Sequence, residues 1–313
     1  MNSATKFLHQ PAAIAALTLA AVLLRTARAP AQNLFVAQSD PRGNIYEFTP
    51  NGGSSTFASI SGNSESEGLA FNSAGDMFVA NTFLPDETGN IYEFTPNAGS
   101  STFASGLSYP SDLAFNSAGN LFVAGGYAGA GTIIEFAPNG GSSTFASGLN
   151  NPQGLAFNIA GDLFEADANS GKIYEFTPNG GSSTFASGLN YPYGLAFNNA
   201  GNLFVSASSS GNIYEFTPNG GSSTFASGVS PAGLAFNSAG NLFEADGSGN
   251  IYEFTSNGGS SIFGSGIIYP PNGEDTPTYL AFQGIALPVP EPSTWGMVGI
   301  GLSALLVSRR WRA

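Results

Sequence analysis

The sequence reads as an all-β chain folded into a six-bladed propeller, on three grounds. A segment Ile-Tyr-Glu-Phe, or a near copy, starts at Ile45, Ile91, Ile133, Ile173, Ile213 and Ile251, at spacings of 46, 42, 40, 40 and 38 residues. Each copy belongs to a unit of four short runs rich in aromatic and β-branched residues, separated by Asn, Gly and Pro, the pattern of four antiparallel strands in a blade. The mature chain also opens on a strand of the second type, Leu34-Phe35-Val36-Ala37, and ends on one of the first type, Leu280-Ala281-Phe282-Gln283. A ring closes when that C-terminal strand completes the N-terminal blade, whereas an open solenoid has no use for the exchange.

Within a unit, residues 194–227 show the order of elements. Gly-Leu-Ala-Phe-Asn is the first strand, Asn-Leu-Phe-Val-Ser the second, Asn-Ile-Tyr-Glu-Phe the third and Ser-Ser-Thr-Phe-Ala-Ser the fourth. The turns Asn-x-Ala-Gly and Pro-Asn-Gly-Gly supply residues that tolerate positive φ. Composition agrees: 42 Gly and 19 Pro in 313 residues exclude long helices, while 26 Phe and 11 Tyr supply a core that low-complexity disorder lacks.

Charge and residue types narrow the function. Between residues 32 and 289 the chain carries two basic and twenty acidic residues, a net charge of −18 that repels phosphate backbones, so nucleic acid is not an expected partner. Cations, polycations and neutral sugars suit such a surface. With no Cys, and with the single histidine at His9, thiolate chemistry and histidine bases are absent from this stretch.

The ends read as addresses. Residues 1–31 have the form of a secretory signal: Lys6, an apolar run Ala12–Leu24 too short for the roughly 20 residues of a membrane span, and a small-x-small cleavage site at Ala29 and Ala31. Residues 32–287 are the expected propeller. Residues 288–313 carry Pro290-Glu291-Pro292, the apolar stretch Trp295–Val307 and the tail Arg309-Arg310-Trp311-Arg312. This order closely resembles the PEP-CTERM sorting signal of Gram-negative bacteria. The resemblance implies export, transient anchoring by a C-terminal membrane helix, cleavage near Pro290-Glu291-Pro292 by an exosortase, and an outer-surface or extracellular-matrix location in species that make exopolysaccharide. The repeated unit resembles the NHL repeat and the blades of gluconolactonase-like and streptogramin-lyase propellers, a likeness that implies fold rather than chemistry.

Site candidates follow from where the repeats differ. Loops between second and third strands vary from blade to blade and share a face with the connections between blades, so a site belongs on that face. At the mouth of the central channel, two residues before the first-strand leucines, stand Glu67, Gln153 and Tyr193, with Asp112 one place later in its blade, an asymmetric ring suited to a small polar ligand or a cation. Leu-Phe-Glu-Ala-Asp occurs twice and puts Glu165 and Glu244 where other blades have valine. With Asp167 and Asp246 these could supply oxygens to calcium; the plainer reading is an edge position open to water. Gluconolactonase-like propellers hold a channel calcium, and the full ligand set has no clear match here. Glu47, Glu93, Glu135, Glu175, Glu215 and Glu253 recur in every blade and read as structural. Two functions are thus expected: a non-enzymatic binding or scaffold module for extracellular polysaccharide or a surface protein, and, as the alternative, a calcium-dependent lactonase or hydrolase.

Overall fold

A computed structural model describes residues 32–38, 43–60, 64–83, 86–96, 99–127, 129–256, 259–265 and 278–284. The signal segment with Ala29 and Ala31, and the tail with Pro290, Glu291 and Pro292, lie outside the described residues. Among those described, six four-stranded antiparallel sheets form, and the only helix is a single 3-10 turn at Ser208–Ser210.

The fifth blade shows the plan: Pro192–Phe197 innermost, then Leu203–Ala207, Asn212–Phe216 and Ser222–Ser227 at the rim. The first blade takes its innermost strand, Thr278–Phe282, from the end of the chain and pairs it with Leu34–Gln38, followed by Asn44–Phe48 and Ser54–Ser59. Leu34 lies opposite Phe282 and Ala37 opposite Tyr279. The expected closure is present, and it is complete within residues 34–282.

Turn chemistry fixes the hairpins. In each Asn-x-Ala-Gly turn the Asn side chain bridges the turn, as where Asn198 Oδ1 accepts from the Ala200 and Asn202 amides at 3.0 and 2.9 Å. The turn's last residue, Gly201, has φ +81, a conformation open chiefly to glycine.

Phenylalanine joins the blades. Every rim strand carries a β-bulge at its Phe, so that Thr224 pairs with Tyr214 and Ala226 with Ile213 while Phe225 is left over and packs inward. Phe204 of the same blade meets Phe225 at 5.0 Å and 83°, and meets Phe236 of the next blade at 5.0 Å and 77°. Phe225 in turn meets Phe254 of the next blade at 5.6 Å. The pattern repeats at all six seams and closes through Phe243 with Phe282 at 4.8 Å and Phe263 with Phe48 at 6.3 Å. Edge-to-face pairs contribute about 0.5–1.5 kcal/mol each beyond the area they bury. Aliphatic residues fill the rest of a seam, as Phe164, Ala166 and Ile173 of the fourth blade against Leu195, Leu203 and Val205 of the fifth.

Inner strands meet around the axis. A Cβ on Gly154 would strike the Tyr193 carbonyl, and one on Gly194 the Ala232 carbonyl, so glycine is required there. Truncating a lattice ring should therefore open a cavity with no residue free to fill it. Phe204→Ala is expected to cost about 3–5 kcal/mol in urea unfolding, and the half-exposed Phe57→Ala (39% exposed) distinctly less. Phe57 belongs to the same lattice through Phe35 and Phe94, so equal losses at both sites would show that burial of the ring does not set the cost.

Candidate functional site at the channel mouth

The face carrying the variable loops is tied together by backbone hydrogen bonds from those loops to the connections between blades. Gly126, Ala168 and Ser208 amides donate to the carbonyls of Tyr109, Asn151 and Tyr191 at 3.3, 3.1 and 3.1 Å. Each acceptor residue directly precedes a proline and is left-handed, with φ +42, +65 and +58. For a tyrosine that conformation is strained by about 1 kcal/mol or more.

Just inside this rim five of the six inner strands bulge, while Thr278–Phe282 pairs with Leu34–Gln38 without a break. Between Pro152 and Leu155, and between Pro192 and Leu195, pairing with the second strand breaks, and the residues released include Gln153 and Tyr193. Glu67 is released the same way between Ser66 and Leu69. Bulges re-aim side chains, and here they turn Glu67, Gln153 and Tyr193 toward one another.

The structure brings the four mouth residues together, but as a plug and not as an open ring. Glu67, Gln153 and Tyr193 are 4%, 5% and 2% exposed. Tyr279, at the place that four other inner strands give to glycine and the third blade gives to Asp112, packs on Tyr193 with centroids 5.0 Å apart. Its hydroxyl donates across the channel to Gln153 Oε1 at 3.3 Å. Gln153 Nε2 donates to Asn151 Oδ1 at 2.9 Å, and Asn151 Nδ2 to the Tyr191 hydroxyl at 2.9 Å. Tyr109 and Tyr127 complete the rim as an edge-to-face pair at 4.8 Å, with Tyr127 46% exposed.

Glu67 acts electrostatically on four of these rings. Burial first, and the Glu67 charge with it, hold the Tyr109, Tyr193 and Tyr279 hydroxyls well above the ordinary tyrosine range. Tyr191 is raised by burial, with the Asn151 hydrogen bond drawing it back and Glu67 pushing it up. All four stay neutral and act as hydrogen-bonding and stacking groups.

Beneath the plug a narrow cavity of about 80 Å³ runs between the inner-strand leucines, with Asp112 and Tyr279 among its walls. Asp112 Oδ2 accepts from the Leu155 amide of the next blade at 2.8 Å. Desolvation raises its carboxyl to about 7, against the downward pull of the Leu155 and Leu113 amides.

Glu165 and Glu244 correct an expectation. Both are 0% exposed, so neither sits at an edge open to water. Each lies between an inner-strand leucine and a third-strand tyrosine, Leu155 and Tyr174 or Leu234 and Tyr252, facing the seam that valine fills elsewhere. None of their four carboxylate oxygens has a hydrogen-bond partner. Desolvation, then the neighbouring Asp167 charge, raises Glu165 well above the ordinary range. Desolvation and Asp246 push Glu244 to about 8, with the Ala232 backbone, short of hydrogen-bond geometry, offsetting part of the rise.

Each Glu thus lies near its Asp, but the aspartates already serve turns. Asp167 accepts from the Asn150 and Ser170 amides at 2.7 and 3.2 Å, and Asp246 from the Ser248 and Asn250 amides at 3.0 and 2.7 Å. Among the described residues no group of three or more acidic or histidine side chains gathers as a metal site would need. Calcium takes about six to eight oxygens, and each pair offers two carboxylates. The repeated glutamates are structural as expected: Glu135, Glu215 and Glu253 accept from Asn120, Asn202 and Asn241, each at 2.6 Å.

Tyr109, Tyr191 and Tyr279 are absent from the sequence-level site, although a signal existed. Five of the 11 tyrosines, at 46, 92, 174, 214 and 252, belong to the repeated third strand, and Tyr269 lies outside the described residues. The five left over, Tyr109, Tyr127, Tyr191, Tyr193 and Tyr279, are the ones that converge.

The buried glutamates make stability depend on pH. Glu244 keeps its proton to about pH 8 when folded and loses it near 4.5 when unfolded. Stability is therefore greatest below about pH 4.5, falls as pH rises toward 8, and then levels. The slope is on the order of 1 kcal/mol per pH unit for each such group. In urea unfolding at pH 5 and pH 8, Glu165→Val with Glu244→Val should stabilise the chain by several kcal/mol at pH 8 and much less at pH 5, leaving the shallower slope of Asp112. An unchanged slope would show that the carboxyls are hydrated.

Comparison with known proteins adds the address and the fold. Residues 288–312 match the PEP-CTERM protein-sorting motif. No curated protein matches the chain in sequence. Among solved structures, the nidogen/laminin complex holds a chain that is 18% identical at TM-score 0.68, over 82% of this chain and 99% of that one. A gluconolactonase from Xanthomonas campestris is 20% identical at 0.54, over 64% and 80%. Virginiamycin B lyase from Staphylococcus aureus is 14% identical at 0.54, over 78% and 90%. At these identities the likeness extends to fold alone. The chain is a six-bladed propeller that carries a PEP-CTERM sorting motif, which marks it for export and surface sorting in a Gram-negative bacterium.

Proposed function

We propose that the chain is an exported, exosortase-processed binding module that holds extracellular polysaccharide at its channel mouth and performs no chemistry on it. The convergence of five non-repeat tyrosines around Glu67 carries this reading, because a fold of near-identical blades departs from its repeat there, with Tyr127 exposed at the rim beside the partly buried Tyr109 and Tyr191 and a bonded plug beneath them. Aromatic rings beside polar groups suit the apolar faces and hydroxyl edges of a sugar. The cavity below, about 80 Å³, is far smaller than the roughly 300 Å³ or more of an ordinary small-molecule pocket. The signal peptide at residues 1–31, cleaved after Ala31, and release of the tail near Pro290-Glu291-Pro292 complete the route outward.

Residues 32–287 contain every strand of the closed ring and can be tested directly. Immobilised on beads, they should retain the producing organism's own exopolysaccharide, and Tyr127→Ala should reduce retention several-fold with folding intact. Equal retention by wild type and variant would place binding elsewhere, and no retention would remove the polysaccharide reading.

A further inference from the structure

We propose that the cleft at the closing seam, between the sixth blade and the first, is a docking groove for the chain's own segment Ile285-Ala286-Leu287, which leads to the sorting motif. The groove is separate from the channel mouth, and its occupant does not depend on what the mouth binds.

The seam that closes the ring is the one that departs from the lattice. At the other five seams the rim phenylalanine meets the third-strand phenylalanine of the next blade at 5.6–5.9 Å and 61–68°. At the closing seam Phe263 and Phe48 stand 6.3 Å apart and tilted at 45°. Gly264 sits there in place of the alanine of the other rim strands, and a Cβ on it would strike the Phe48 ring. The same seam holds a cleft of about 310 Å³, walled by Phe243, Phe263, Phe282, Ile262 and Pro50, whereas the equivalent cleft of the preceding seam is about 160 Å³.

The wall of this cleft carries an apolar side chain with no cover. Ile262 replaces the threonine of the other five rim strands, Thr56, Thr102, Thr144, Thr184 and Thr224. At 59% it is the most exposed large apolar side chain among the described residues. A lone exposed isoleucine would mean little, but Ile262 adjoins the partly buried Phe263 and the exposed Pro50 on one cleft.

The chain supplies a cover at that place. Phe282 is a wall of the cleft, and the Gln283 amide that follows donates to the Asn33 carbonyl at 3.1 Å. The Gln283 carbonyl accepts from the side-chain amide of Gln32, another wall residue, at 3.1 Å. Gly284 then takes a left-handed turn at φ +77. Next come Ile285, Ala286 and Leu287, an apolar run where a free linker would be polar. Ile285 is three residues from Phe282, a span of at most about 10 Å, so the groove lies within its reach. Asn51 and Ser261 on the same wall offer amide and hydroxyl groups to the backbone of an extended segment. Because the walls come from the sixth blade and from both ends of the first, the groove exists only once Thr278–Phe282 has joined its blade. Docking therefore ties the approach to Pro290-Glu291-Pro292 to a closed propeller.

The test is a urea-unfolding cycle on residues 32–289 and 32–284, both of which contain the whole ring, each with and without Ile262→Thr. Threonine is the residue that five rim strands already carry, so the variant folds. In residues 32–289 it should lower the folding equilibrium constant about tenfold, as loss of a partly buried apolar side chain does. In residues 32–284 it should change that constant less than about twofold. Ile285→Ser with Leu287→Ser should reproduce the truncation, and NMR spectra of residues 32–289 should show contacts of the Leu287 methyls with the Phe263 ring. An equal effect of Ile262→Thr in both chains would overturn the docking and leave the cleft to an outside ligand. A coupling that weakens on dilution, in a sample with the mass of a dimer, would also overturn it by giving the groove to a second copy.

Discussion

The fold rests on one contact made six times: a second-strand phenylalanine set edge-on between a rim phenylalanine of its own blade and an inner-strand phenylalanine of the next. Each blade packs one face on the blade before it and the other on the blade after it, so a blade alone leaves two apolar faces uncovered. The lattice makes each blade's cover its neighbour, so no blade is stable until both neighbours are present, and the chain has to close. The exchange of the inner strand Thr278–Phe282 to the first blade follows from that requirement, since Phe282 supplies the ring that Phe243 needs. The rim bulges follow as well: without the extra residue, a strict alternation would not bring Phe225 to the seam.

A scaffold this uniform makes its exceptions informative. Two seams hold a buried carboxyl in place of valine, which weakens them as pH rises, and a third departure, Ser206 at an alanine position, is satisfied by the Gly194 amide and the Ala232 carbonyl at 2.7 and 2.5 Å. The glutamates contribute nothing to the lattice. The geometry shows what they cost the fold and no hydrogen bond that their carboxyls make. At the mouth the exceptions act together: left-handed residues before proline, inner-strand bulges, and tyrosines where the repeat has small residues all meet in one place.

Repeats, blade number, strand order and closure were legible in the sequence because each is a local pattern copied along the chain. Glu67, Asp112, Gln153 and Tyr193 were legible as neighbours because equivalent repeat positions surround one axis. Their burial was not legible, since it depends on Tyr279, which reaches Gln153 across 126 residues of sequence and the width of the channel. Glu165 and Glu244 were read as open edges because strand alternation tells which face a side chain takes, while how closely the next blade covers that face is a property of the ring. The aspartates beside them looked like ligands, but they are spent on turn amides that only the folded loops present.

The most direct test of this account distinguishes repeat tyrosines from mouth tyrosines in one spectrum. With tyrosine rings isotopically labelled in residues 32–287, addition of the organism's polysaccharide should shift the signals of Tyr109, Tyr127, Tyr191, Tyr193 and Tyr279 and leave those of Tyr46, Tyr92, Tyr174, Tyr214 and Tyr252 in place. Shifts confined to the repeat tyrosines, or spread evenly over both sets, would contradict the claim that the propeller's work is done where its symmetry breaks.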